Sequence, residues 1–106
     1  MGTASEAFVI LVTGAILARP ESVDELAALS LDHVRRSRTE PGCVMHAVHR
    51  DVENPLRLLF VEEWADRAAL ATHFAVPASI AFARAVVKLA AQPPEMKVYD
   101  ATLTRV

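Results

Sequence analysis

Hydrophobic positions fall into three patterns along the chain, and each predicts a different kind of element. The continuous apolar run Phe8-Val-Ile-Leu-Val-Thr-Gly-Ala-Ile-Leu-Ala18 predicts a strand covered on both faces. Gly14 interrupts it and marks either a bulge or a close approach of another group to the backbone. After a turn at Arg19-Pro20-Glu21, Val23, Leu26, Ala27, Leu29, Ser30 and Val34 recur at helical spacing, which predicts a one-sided surface helix. Ser22 and Glu25 have the spacing of a capping box, in which the serine oxygen and the glutamate each satisfy a free amide. Asp24 and Glu25 early, and Arg35, Arg36 and Arg38 late, suit the helix dipole. Glu40-Pro-Gly-Cys43 stops the helix, because proline disfavours a helical residue before it and glycine permits a sharp turn.

The next segment is extended. A strand over Cys43–Arg50 places Val44, His46, Val48 and Arg50 on one face and Cys43, Met45, Ala47 and His49 on the other, so His46 and His49 point apart. Asp51-Val-Glu-Asn-Pro55 turns the chain, and Leu56–Trp64 returns as a strand with Leu58, Phe60, Glu62 and Trp64 on one face, an antiparallel hairpin. Asp66 is a good N-cap for a short helix through Phe74. Pro77 opens a longer helix carrying Ile80, Phe82, Ala83, Val86, Val87 and Leu89, ended by Pro93-Pro94. Met96–Thr104 reads as a last strand. The order strand, helix, strand, strand, helical pair, strand is the split β-α-β pattern. It predicts an α+β domain with a four-stranded antiparallel sheet and helices on one face.

Such a sheet leaves one face uncovered, yet both parities of the first and third strands are apolar, Leu59 and Val61 as well as Leu58 and Phe60. A monomer rarely exposes a large apolar patch, so the pattern predicts a homodimer through stacked sheets. At 106 residues the chain has room for one domain, expected over residues 8–104, with the small and polar segment Met1 to Ala7 as a flexible N-terminal arm. Eleven Lys+Arg against thirteen Asp+Glu give a net charge of −2, which argues against binding nucleic acid or anionic lipid. The single cysteine, Cys43, excludes an internal disulfide and fits a reducing compartment, so a cytoplasmic location is expected. The run at Phe8–Ala18 is shorter than the roughly 20 residues that span a bilayer and lacks the basic start of a signal peptide. No membrane association is expected.

Arg38-Thr-Glu-Pro-Gly-Cys43, then His49-Arg50-Asp51, then Glu62-Glu-Trp64, then Ala69-Leu70 followed by His73 resemble the antibiotic biosynthesis monooxygenase family, in order and spacing, from about Val9 to Tyr99. The resemblance implies a ferredoxin-like domain in a dimeric α/β barrel. It also implies oxidation of a quinol or anthrone by molecular oxygen without flavin, haem or metal, while relatives degrade haem or isomerise a phosphorylated ligand. The matching positions make Glu62, Trp64 and His73 the candidate catalytic residues, with Phe60, Leu70, Phe74 and Phe82 expected to line the substrate pocket. Two positions depart from the family pattern. Ala78-Ser79 stand where a second histidine is common, and His46 occupies an aromatic position. Haem-degrading relatives carry an asparagine in the first strand, absent here, and their helix histidine aligns nearer Ser79 than His73, which argues against haem chemistry.

A cofactor-free oxygenase uses its substrate as the electron source, so the site must remove a proton and hold the resulting anion in a dry, aromatic-lined pocket. His73 suits the base or a donor to the anion; its alternative is a packing histidine. Trp64 suits stacking on a planar substrate and donation through the indole N–H, or else it anchors the core. Glu62 shares that face and is expected either to have a raised pKa through partial burial or to pair with an arginine such as Arg84. His46, His49 and Cys43 do not converge, so no metal site and no cofactor is expected. Cys43 reads as a small hydrophobe rather than a nucleophile. A non-catalytic small-molecule binding module is the reading from a different class, because a fold alone does not fix an activity.

Overall fold

The computed structural model describes residues 7–106; of the expected N-terminal arm, residues 1–6 lie outside the described residues and Ala7 opens the first strand. The elements run β1 (Ala7–Leu17), α1 (Val23–Ser37), β2 (Cys43–Arg50), β3 (Arg57–Trp64), α2 (Arg67–Ala75), α3 (Pro77–Leu89) and β4 (Glu95–Leu103). The four strands form one antiparallel sheet in the order β2-β3-β1-β4, the ferredoxin-like arrangement expected from the element order. α3 ends at Leu89, before the proline pair, because Ala90 turns into an isolated bridge with Ala18.

Alternation sorts the sheet into two faces. Ile10, Val12 and Ile16 of β1 and Leu58, Phe60, Glu62 and Trp64 of β3 point under the helices and are buried. They meet Leu26 and Val34 of α1, Leu70 of α2 and Val86 of α3 in two apolar clusters, one around Phe60 and one around Trp64. Gly14 keeps regular register with Phe60 and Met96, so it is not a bulge. A Cβ there would lie 3.4 Å from the Glu95 carbonyl oxygen and 3.6 Å from Cβ of Phe60, contacts at ordinary van der Waals distance, so no close backbone approach demands the glycine.

Two local expectations are corrected. Ser22 makes no side-chain cap to α1; its hydroxyl instead donates to the Leu89 carbonyl at 2.8 Å and accepts from the Arg19 amide, tying the start of α1 to the end of α3. Cys43 does not share a face with Met45, because a bulge at Val44 shifts the register: Cys43 lies opposite Trp64, and Met45 opposite Glu63. The extra residue turns Cys43 inward against Trp64 and leaves Val44 exposed. Past the bulge the alternation holds, with His46 buried and His49 exposed. Asp66 caps α2 as expected, its carboxylate accepting the Ala69 amide at 2.8 Å. Among the described residues no single helix is long and apolar enough to cross a membrane.

Candidate active site

Between the two apolar clusters lie four buried polar side chains: His33 from α1, His46 from β2, Glu62 from β3 and His73 from the last turn of α2, exposed by 6%, 1%, 5% and 2%. Three of the four histidines in the chain thus meet from three separate elements. Their ring centroids stand 5.4 Å (His33–His46), 5.1 Å (His33–His73) and 5.6 Å (His46–His73) apart.

Each ring has a distinct partner. The Nδ1 of His73 lies 2.7 Å from Oε1 of Glu40, a carboxylate held by the turn after α1, and its ring rests against Trp64 at 4.6 Å. His46 faces Glu62 with Nε2 at 3.3 Å from Oε1, although neither nitrogen makes a well-aligned hydrogen bond. His33 stacks on Phe82 at 4.2 Å, nearly parallel, and Nη2 of Arg36 lies 2.7 Å from its Nδ1. A guanidinium can only donate, so Nδ1 accepts and the neutral ring carries its hydrogen on Nε2.

Glu62 corrects an expectation. Burial works against its ionisation, but the His46 ring and the Trp64 indole, whose N–H donates to Oε1 at 2.9 Å, outweigh burial and hold the carboxyl group below its usual range. The carboxyl is lowered, not raised, and its partners are not arginine. Burial, with Glu40 and Glu62 nearby, pushes the Cys43 thiol up, which keeps it a poor nucleophile.

Burial, reinforced by His46, His73 and Arg36, drives the His33 pKa down from 6.5 to about 3. Above pH 6.5 the ring is neutral folded or unfolded and contributes no pH dependence. Below it the unfolded chain takes up a proton that folded His33 refuses until about pH 3, so stability falls through that window. Between pH 6.5 and about pH 5 the loss from this group is at most about 2 kcal/mol. Urea unfolding at both pH values should show a smaller loss for His33→Gln than for the wild type; equal losses would remove His33 as the source.

A cavity of about 540 Å³ opens over these groups. Its walls include Phe60, Phe74, Phe82, Ile80 and Val87, its polar floor His33, Glu62, His73 and Ser79, and Arg84 and Glu95 also line it. Of the sequence-predicted residues, His73, Glu62, Phe60, Phe74 and Phe82 come together at this cavity. Trp64 and Leu70 do not line it: both belong to the buried cluster with Ile10 and Val12. Trp64, 0% exposed, has no free face for a substrate, and it reaches the site through Glu62.

Sequence reasoning missed His33, Arg36 and Glu40. The signal for His33 was present, since Leu26, Ser30, His33 and Ser37 follow helical spacing and are all buried, but a stripe read as Leu26, Ser30 and Val34 passes over the histidine between them. His33, His46 and His73 each offer a nitrogen, all within 4.8 Å of one another, the group able to hold a metal ion among the described residues. A tetrahedral ion with nitrogen ligands at about 2.0–2.1 Å needs them closer, about 3.4 Å apart, and needs a lone pair from each ring. His33 has its Nδ1 lone pair on Arg36 and carries its hydrogen on Nε2, so it has no free lone pair to give and the arrangement as it stands does not fit a metal.

Fold and site together define a small ferredoxin-like domain with a buried histidine–carboxylate centre beneath an apolar cavity. The family model described as antibiotic biosynthesis monooxygenase matches residues 9–85, and the chain belongs to that family. It is 36% identical over 96 residues to an uncharacterized protein, sll1783, of Synechocystis sp. (strain ATCC 27184 / PCC 6803 / Kazusa), a match covering 91% of this chain and 65% of that protein. The chain therefore spans about two thirds of that relative's length. A crystal structure of an antibiotic biosynthesis monooxygenase shares 28% identity over 87% of this chain and 97% of its own, with a TM-score of 0.81. A conserved protein from Methanosarcina mazei Go1 shares 25% identity over 87% of this chain and 91% of its own, with a TM-score of 0.83.

Proposed function

We propose that this protein oxidises a small planar aromatic substrate of the quinol or anthrone class with molecular oxygen, the substrate itself supplying the electrons. The observation that carries the reading is the His73–Glu40 pair, 2.7 Å apart, set at the floor of an otherwise aromatic and aliphatic cavity. Glu40 accepts the Nδ1 hydrogen, which leaves Nε2 of His73 as the basic nitrogen for a phenolic O–H or an acidic C–H. Phe60, Phe74 and Phe82 suit stacking on the ring and exclude water from the anion. The anion transfers electrons to oxygen. For an anthrone, the methylene carbon becomes a carbonyl and the second oxygen atom leaves as water with the two hydrogens, so no external reductant is needed. Glu62, held by Trp64, lies beside the His46 ring.

Oxygen uptake in chelator-treated, haem-free buffer with a panel of hydroquinones and anthrones tests this reading. Saturable uptake above autoxidation is expected; none across the panel would overturn it. The free thiol of Cys43 suits a reducing compartment, and we place the protein in the cytoplasm.

The same reading includes a homodimer. On the side of the sheet away from the helices, Leu11 and Ala15 of β1 stand beside Leu59 and Val61 of β3, and Tyr99 of β4, opposite Leu11, is exposed. A second sheet stacked there would cover them. Light scattering should give twice the chain mass, and Val61→Lys should give the monomer; a wild-type monomer at micromolar concentration would count against the stacked pair.

A further inference from the structure

Nothing in the backbone of the described residues requires position 14 to be a glycine. Gly14 stands inside β1 between the buried Val12 and Ile16 and keeps regular register with Phe60 and Met96. It is not at positive φ, where Gly42 is the one described glycine, and a Cβ on it would make contacts of ordinary length. A glycine inside a strand nevertheless weakens it relative to alanine, because it loses more backbone freedom on folding and packs no side chain. What Gly14 leaves is space, and that space belongs to the cavity, since Phe60, Gly14 and Met96 all line it.

The sheet register gives the cavity a direction. Phe60, Gly14 and Met96 stand side by side on β3, β1 and β4, so the floor they form crosses two strand spacings, about 10 Å. Ile80, Ala83 and Val87, which share one face of α3, also line the cavity. His46 and Glu62 occupy the next inward-facing row, on β2 and β3, and His73 rests against Trp64 of β3. The polar end of the cavity therefore stands over β2 and β3, and its apolar end over β1 and β4. A single ring held at His73 stays over β3, whereas rings fused to it in line pass over Gly14 toward Met96. We propose that Gly14 is the specificity-determining residue of the site, its missing side chain admitting the outer ring of a linearly fused polycyclic phenol. This deepens the oxygenase reading and rests on it for the ligand's being a planar aromatic with a phenolic oxygen. A larger residue at position 14 closes the apolar end and leaves room for the first ring.

The test is binding to the full chain in the absence of oxygen, followed by the emission of 2-anthrol and 2-naphthol, with phenol as the competitor. The wild type should bind 2-anthrol most tightly, then 2-naphthol, then phenol. Gly14→Ala should lower the ratio of 2-anthrol to phenol affinity, and Gly14→Val should lower it about 10–100-fold, the usual cost of forcing extra methyl groups into occupied space. Urea unfolding separates this from a folding defect. Gly14→Ala should be at least as stable as the wild type, because alanine at an ordinary φ reduces the freedom of the unfolded chain without straining the folded one. A wild type that binds phenol as tightly as 2-anthrol, or a ratio unchanged in Gly14→Val, would overturn the proposal. So would a Gly14→Ala protein less stable than the wild type, which would make the glycine structural. Failure of the oxygenase reading is separable: ring-size selection that depends on Gly14 without oxygen uptake removes the reaction and leaves the role of Gly14. Uptake with a three-ring substrate undiminished in Gly14→Val removes that role and leaves the reaction.

Discussion

His73→Ala should lower oxygen uptake with a competent quinol or anthrone about 10²–10⁴-fold, the usual loss when a positioned general base is removed. The substrate's KM should change far less, because the apolar walls that hold the ring are untouched. Glu40→Gln keeps an acceptor for the Nδ1 hydrogen but removes the charge that supports an imidazolium, so its rate should fall between those of the wild type and His73→Ala. A packing role for His73 gives a different pattern, in which stability falls and turnover per folded molecule does not. One oxygen of Glu40 is already buried without a partner, so removing the histidine should also destabilise the fold by about 1–3 kcal/mol. Turnover must therefore be normalised to the folded fraction, and wild-type turnover per folded molecule in His73→Ala would exclude it as the base.

The largest effect on stability is expected at Gly42, in the turn that carries Glu40. Gly42 has φ +83°, a conformation that side chains with a Cβ enter at a penalty of about 1–2 kcal/mol. A Cβ added there would also stand 2.4 Å from Cβ of Ala69 on α2, a distance that forces the turn and the helix apart. Gly42→Ala should therefore cost about 2–4 kcal/mol, measured as a shift of the urea midpoint at unchanged slope. Adding Ala69→Gly should recover the steric part but not the backbone part, and it brings its own helix penalty of about 1 kcal/mol. A Gly42→Ala protein as stable as wild type would contradict the described turn. Because Glu40 and Gly42 are two residues apart, the single substitution should also loosen the Glu40–His73 pair and slow turnover in the molecules that still fold.

The order of elements and the inward face of β3 could be read directly from the sequence, because alternation in Leu58, Phe60, Glu62 and Trp64 has a single answer once one face is buried. The separation of His46 from His49 followed from the same period. Other features depended on partners distant in the chain. Ser22 has the local spacing of a capping box, but the Leu89 carbonyl competes for its hydroxyl. Cys43 changes face because of one bulged residue, which no period reveals. The direction of the Glu62 shift turned on His46 and Trp64 together outweighing burial, a balance set by distances rather than residue types. His33 escaped because polar residues on a buried helical stripe look, in one dimension, like breaks in it. The family pattern marked His73 and Glu62 for chemistry, but it also marked Trp64, whose ring is enclosed.

The contacts that build the site close long loops: Glu40 and His73 are 33 residues apart in the chain, and Arg36 and Ser79 are 43 apart. Long-range contacts repay their closure entropy only after the elements between them have formed. The sheet beneath closes longer loops still, pairing Ile10 with Trp64 and Ala7 with Leu103, so the histidine centre and the sheet that carries it are expected to form together in one cooperative step. The one tryptophan belongs to β3 and also sits against His73, so its emission should report formation of the sheet and of the site at once.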